Sequence, residues 1–205
     1  MTFLLASFTS IFTVVNPFSA MPVFLALTID DPQELRNSQL KKACMYMILI
    51  LVIFFGAGTY IMSFFGISLQ GIRIAGGIMI MQASFSLLNP KKAGRKLTAK
   101  DVDEAKEKED ISFSPLAMPL LSGPGSIAVV LGLSSSAAGW VDYLIIVGAI
   151  LLTATVVFFV LRMTPFVVKL LGNTGMTALT RMMGFIGLCI GVQFVINGVM
   201  PLLKG

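Results

Sequence analysis

Six runs of roughly 20 mostly apolar residues, the length that crosses a bilayer as a helix, constrain this chain more than anything else in it. They lie at about Phe3–Thr28, Ala43–Gly66, Ile72–Asn89, Phe113–Leu133, Trp140–Arg162 and Thr180–Leu203. With 56% of residues apolar and only 12% charged, the chain belongs to the membrane class. The expected fold is therefore all-α and polytopic, with six transmembrane helices. The start Met1-Thr2-Phe3-Leu4 has no basic region before its apolar run, so it reads as a retained first helix rather than a cleaved signal peptide.

Two of the six runs are interrupted near their middles. In the first, Val15-Asn16-Pro17-Phe18-Ser19-Ala20-Met21-Pro22 must break or restart a helix, because proline has no N–H to donate and clashes with the preceding turn. Asn16 falls where an N-cap sits and Pro17 at the first helical position after it, where a missing N–H costs nothing. In the fourth run, Pro119-Leu120-Leu121-Ser122-Gly123-Pro124-Gly125-Ser126 does the same. Aligning Pro17 with Pro124 sets Asn16 on Gly123 and Ser19 on Ser126. A lone break is a kink that neighbouring helices can heal. Paired breaks at corresponding places in two halves point instead to a transporter binding site.

The halves match elsewhere too. With Arg73 on Arg181, the run Arg73-Ile74-Ala75-Gly76-Gly77-Ile78 meets Arg181-Met182-Met183-Gly184-Phe185-Ile186, and Asn89 meets Asn197. This predicts a first three-helix repeat over residues 1–90, a charged linker over 91–112 and a second repeat over 113–205. Three spans per half is an odd number, so the second half enters the membrane inverted. Of the 15 lysines and arginines, all but Arg73 and Lys204 fall in loops on one side. That side is cytoplasmic by the positive-inside rule, which puts the linker inside and both termini on the extracytoplasmic side. Within the linker, Thr98 with Asp101 and Glu104 with Lys108 suggest a short solvated helix, although a plain hydrophilic connection is the simpler reading.

The net charge of +5 is explained by that orientation rather than by nucleic acid. Cys44 and Cys189 both sit in apolar runs and read as small buried hydrophobes, not as a disulfide or a metal site. The chain has no histidine. Neither a nucleophile with a base nor a zinc spacing occurs in any span, so an enzyme and a cofactor are not expected. No acid is placed at mid-depth either. Proton coupling thus lacks an obvious relay, while sodium held by freed backbone carbonyls, or no coupling ion, stays open.

The candidate substrate-binding residues are Asn16, Pro17, Ser19, Ser122, Gly123, Pro124, Gly125 and Ser126. Arg73 and Arg181 either snorkel to headgroups or act as gates. Asn89 and Asn197 stand where helices end, as caps or as polar lining, and Gln82 and Gln193 either pack helices or line a cavity. Gly187-x-x-x-Gly191 marks close helix packing, within the chain or between copies.

The residues Asn16-Pro17, Gly66-Ile67-Ser68, Gly71-Ile72-Arg73-Ile74-Ala75-Gly76-Gly77, Pro115-Leu116-Ala117-Met118-Pro119, Gly123 to Ala128, Arg181 to Phe185 and Gly191 to Gly198 together resemble the MarC/SnatA family. That family is prokaryotic, resides in the inner membrane and is grouped with LysE-type exporters. The resemblance implies a multi-pass carrier in a lipid bilayer whose substrate is a small zwitterion, with neutral amino acids such as glycine or alanine leading. A passive pore or exporter for another small solute, and a non-transporting scaffold subunit, are the rival readings.

Overall fold

A computed structural model describes residues 2–28, 30–88 and 110–204. The described chain is helical throughout, in the order α1 (Thr2–Val15), α2 (Pro17–Thr28), α3 (Gln33–Phe65), α4 (Leu69–Leu88), α5 (Ser112–Leu121), α6 (Pro124–Ser136), α7 (Trp140–Arg162) and α8 (Thr164–Lys204). Helices α3, α4, α7 and the Thr174–Leu203 part of α8 are each long and apolar enough to span. The pairs α1–α2 and α5–α6 pass the same test only when joined, bent by 40° and 63°. The six apolar runs thus become four helices long enough to span and two bent pairs, each either a broken span or a re-entrant loop.

Helices α3 and α7 give the largest shares of the main core. On α3 the buried residues Leu40, Ala43, Cys44, Met47, Leu51 and Phe55 recur every three or four positions, which lines one helical face. On α7 Ile146, Ala149, Ile150, Ala154, Val157 and Leu161 do likewise. Ile11 and Val15 of α1, Met21 and Phe24 of α2, Leu116 and Leu121 of α5 and Val130 of α6 complete the same core. Two buried hydroxyls are satisfied along their own helices, Thr28 Oγ1 donating to Phe24 O and Thr153 Oγ1 to Ala149 O, both at 2.8 Å, whereas the hydroxyls of Ser7, Ser112, Ser122, Ser134 and Thr164 have no partner among the described residues.

Helices α4 and α8 pack antiparallel through glycine. A Cβ added at Gly77 would lie 2.6 Å from Gly191 O, and one at Gly191 would lie 2.8 Å from Gly77 O. Further along, Gly184 abuts Ser84 O, Gly187 abuts the Ser84 hydroxyl and Gly198 abuts Gln70 O. As α8 runs forward its partners on α4 run backward, and the backbones approach as only small residues permit. The Gly187-x-x-x-Gly191 pair is therefore used inside the chain.

Several expectations change. Helix α3 begins at Gln33, well before the apolar run at Ala43, because the helix continues past the hydrocarbon boundary. The last helix also starts early and is broken at Gly172, whose φ of 62° is open to glycine at little cost. Asn197 does not end a helix: α8 runs on to Lys204, and Gly198 is there for contact with α4. Cys44 is buried as expected, but Cys189 is exposed, because it lies on the face of α8 turned away from α4. The segment α5 is not a regular half-helix. Ser114 and Met118 have extended backbone and the bonds to Pro115 and Pro119 are cis. Asn89 and the linker residues Thr98, Asp101, Glu104 and Lys108 lie outside the described residues.

Two basic residues in the N-terminal part of α3, Arg36 and Lys42, tie it to neighbouring elements. Arg36 Nη2 donates to Thr28 O at 2.7 Å, at the last residue of α2 where the helix dipole is negative. Lys42 Nζ pairs with Asp110 Oδ2 at 2.8 Å, which joins the outer part of α3 to the approach to α5 at one end of the bundle. The Lys42 hydrogen bond, helped by donation from Ser112 N, draws the Asp110 carboxyl down to about 2 from 3.8.

Two outcomes are expected. Gly77→Leu or Gly191→Leu destabilises the detergent-solubilised protein by about 1–3 kcal/mol through overpacking, whereas Gly56→Leu, with nothing within 4 Å of its Cβ, leaves the apparent Tm unchanged; equal shifts would contradict the packing. Asp110 has a lowered folded-state pKa, so its contribution is present above about pH 4 and is lost as the pH falls through about 2. With side chains 49% and 45% exposed, the pair is screened by water. Asp110→Asn should therefore lower the apparent Tm slightly at pH 7 and hardly at all in 1 M salt, as differential scanning fluorimetry would read.

Candidate functional site

The first break turns on Asn16. Its N–H donates to Phe12 O at 2.9 Å, the last bond of α1, and its φ is +44°. Asparagine is one of the few residues that enter this left-handed region readily, so one residue both ends α1 and turns the chain. Helix α2 then starts at Pro17, as the sequence predicts. The N-cap reading of Asn16 holds only weakly, since Ser19 N reaches Asn16 Oδ1 at 3.4 Å but Asn16 O at 3.0 Å.

The second break turns on Gly123. It is extended, with φ −69° and ψ 169°, and caps α6 without a side chain while Pro124 occupies the first turn. A Cβ at Gly123 would lie 2.8 Å from Pro119 O, which is backbone and cannot move aside, so glycine alone fits. Ser126 Oγ donates to Gly123 O at 2.8 Å, just as Ser19 Oγ donates to Asn16 O at 2.8 Å. The aligned residues of the two breaks thus make the same bond. Both serines turn their hydroxyl hydrogens onto the carbonyl that precedes the helix.

The breaks are neighbours in space. A Cβ at Gly125 would lie 3.1 Å from Val14 Cγ1 and 2.8 Å from Ile80 Cγ1. Val14 lies in the last turn of α1, two residues before Asn16, and Gly125 follows Pro124, so the start of α6 is wedged between the end of α1 and the middle of α4. Ser122, fully buried at the second break, has an Oγ with no partner among the described residues. Pro17 and Ser126 are buried, Asn16, Ser19, Gly123 and Gly125 are half-buried, and Pro124 is exposed.

The other candidates are dispersed. Arg73 is half-buried near the start of α4, whereas Arg181 is exposed on α8. The antiparallel register sets them at opposite ends of the α4–α8 pair. Gln82, Gln193 and Asn197 are exposed on outward faces of α4 and α8, and Gln193 Nε2 donates to Asn197 Oδ1 at 2.8 Å. They do not join the breaks. Sequence reasoning did not single out Val14 and Ile80, which lock the second restart against its neighbours, because nothing in an apolar run marks which member meets a glycine.

Among the described residues, every buried polar side chain is an uncharged Ser, Thr or Gln. The chemistry on offer at the breaks is hydroxyls, backbone carbonyls released where a helix ends and first-turn N–H groups that have no intrahelical acceptor. The N–H end of such a set favours an anion and the carbonyl end a cation, with no protein charge buried among the described residues.

Comparison with known proteins agrees with the membrane architecture. A family model described as MarC family integral membrane protein matches residues 1–203. A UPF0056 membrane protein of Methanocaldococcus jannaschii is 37% identical over 197 residues, covering 96% of each chain. The UPF0056 inner membrane protein MarC of Citrobacter koseri is 36% identical over 204 residues, covering 93% of this chain and 91% of its own. Its namesake in Escherichia coli strain K12 is 35% identical over 201 residues, with the same coverage. No solved structure matches. The names of the bacterial relatives, with the several apolar helices seen here, support a multi-pass inner-membrane location. The chain belongs to the MarC family of integral membrane proteins.

Proposed function

We propose that this protein is a carrier of small zwitterionic solutes, foremost neutral amino acids of the glycine and alanine size, working by alternating access around the paired helix breaks. The observation that carries the reading is the wedge at Gly125, which holds the start of α6 against the end of α1 and against Ile80. Two interrupted spans meeting inside a bundle is the arrangement by which secondary transporters bind solutes at mid-membrane.

The parts divide as follows. First-turn N–H groups of α6, at Gly125 and Ser126, take the substrate carboxylate, assisted by the Ser122 hydroxyl, which is buried and otherwise unpartnered. Carbonyls at the end of α1 and around Asn16 take the ammonium. Ser19 and Ser126 hold the N-cap carbonyls of the two restarts and so fix their direction. The two halves are inverted repeats of one another; the shared serine bond at aligned positions and the antiparallel α4–α8 pair support this. Among the described residues no acidic or basic side chain belongs to the breaks, which favours sodium on carbonyl oxygens over a proton on a side chain if a coupling ion is used. The linker faces the cytoplasm and both termini face outward, a reading supported by the sequence positions of the lysines and arginines.

Purified protein in proteoliposomes should exchange radiolabelled glycine or alanine with saturation and trans-stimulation. Gly123→Ala, whose Cβ meets Pro119 O, and Pro124→Ala should each lower that flux at least about tenfold, the size of effect expected when about 1.4 kcal/mol of pre-organisation is lost, while the protein remains folded by circular dichroism. Absence of counterflow above empty vesicles, across several neutral amino acids and with sodium present, would remove the substrate assignment. Flux without saturation would indicate a pore.

A further inference from the structure

Helix α8 has two opposite faces. One carries Gly184, Gly187, Gly191 and Gly198 and is closed by α4. The other carries Met182, Ile186, Cys189, Gln193, Ile196 and Met200, all exposed. Their alternating spacing of four and three residues sets them along one stripe of the helix, a seam flanked by Phe185, Val192 and Asn197, which are exposed as well.

Gln193 is the polar layer in that seam, and its depth makes it costly to leave unpaired. The uncharged run from Met182 to Leu203 is bracketed by Arg181 and Lys204 and spans roughly 33 Å at about 1.5 Å per residue, close to the thickness of the hydrocarbon. Gln193 falls at its middle and Asn197 roughly 6 Å further along. Their mutual bond uses one Gln193 donor and the Asn197 acceptor. Among the described residues, Gln193 Oε1 and the Asn197 amide hydrogens have no further partner. Hydrocarbon offers neither donor nor acceptor, so the remaining valences call for a polar partner at the same depth.

We propose that the outer face of α8 is the contact between two copies of this chain, related by a twofold axis along the membrane normal. Copies inserted the same way present each residue to its own counterpart at equal depth, and such an interface is self-complementary. The free acceptor of Gln193 and the free donors of Asn197 supply what the same pair on the other copy lacks. The amide pair acts as a polar layer that fixes register, while Met182, Ile186, Ile196 and Met200 pack around it. Each copy keeps its own paired breaks, so this contact stands independently of what the protein carries.

Cys189 is the built-in reporter: it lies one turn from Gln193 on the seam, while Cys44 is buried. Copper-phenanthroline oxidation of native membranes should give a band at twice the monomer mass that reduction reverses and Cys189→Ser abolishes. In the Cys189→Ser background, Met200→Cys should restore the band, and Leu151→Cys, exposed at mid-depth on α7, should not. Gln193→Leu should lower the cross-linked fraction about threefold, in line with the loss of one interhelical amide contact. Monomer alone at both seam positions would overturn the proposal, as would cross-linking at Leu151→Cys equal to that at the seam. A ladder of higher multimers would contradict the twofold arrangement, and an adduct of another mass would assign the face to a different protein.

Discussion

In hydrocarbon a backbone N–H or C=O that lacks a partner costs several kcal/mol, so a chain that interrupts two of its spans has to find other uses for the groups it frees. Everything distinctive here follows from how those groups are handled. Asn16 enters the left-handed region and lets one residue end α1 and precede α2. Gly123 brings the chain against Pro119 O more closely than any side chain would allow. The Ser19 and Ser126 hydroxyls each occupy one carbonyl. What is left over are N–H groups in the first turns and the Ser122 hydroxyl, enclosed by neutral side chains.

Holding those leftovers in place needs a rigid surround, and glycine provides it. Gly76 against Ala128, Gly125 between Val14 and Ile80, and the run of glycines joining α4 to α8 bring backbones to near contact at the helices that flank the breaks. Because dispersion falls steeply with distance, such contact replaces the hydrophobic drive that lipid cannot supply. The same helix α8 then offers two unlike faces, one spent on its own chain and one exposed and bearing the Gln193 and Asn197 amides.

Much of this was legible in the residues. Asn16-Pro17 and Gly123-Pro124 marked both restarts because proline's missing N–H and fixed φ act locally, and Trp140–Arg162 matched α7 because nothing interrupts its apolar run. Boundaries set by tertiary contact were not legible. Asn197-Gly198 has the look of a helix end, yet Gly198 is there to let Gln70 O approach. Likewise the sequence shows that Cys189 is apolar in setting but not which way it faces. The break at Gly172 did leave a trace, a glycine following Lys169 and two leucines as at a helix C-terminus. The irregular course of α5 was foreshadowed by Pro115 as well as Pro119, although only the second was read as a break.

The central claim is that the start of α6 receives a substrate carboxylate. Solid-state NMR on protein in lipid, with 15N-labelled glycine and serine in the chain and carboxyl-13C alanine as ligand, measures it directly. The account expects dipolar coupling from the ligand carboxyl carbon to the Gly125 and Ser126 amides, corresponding to about 4 Å or less, as an N–H···O bond of ordinary length requires. Bound alanine that couples to neither amide would contradict it.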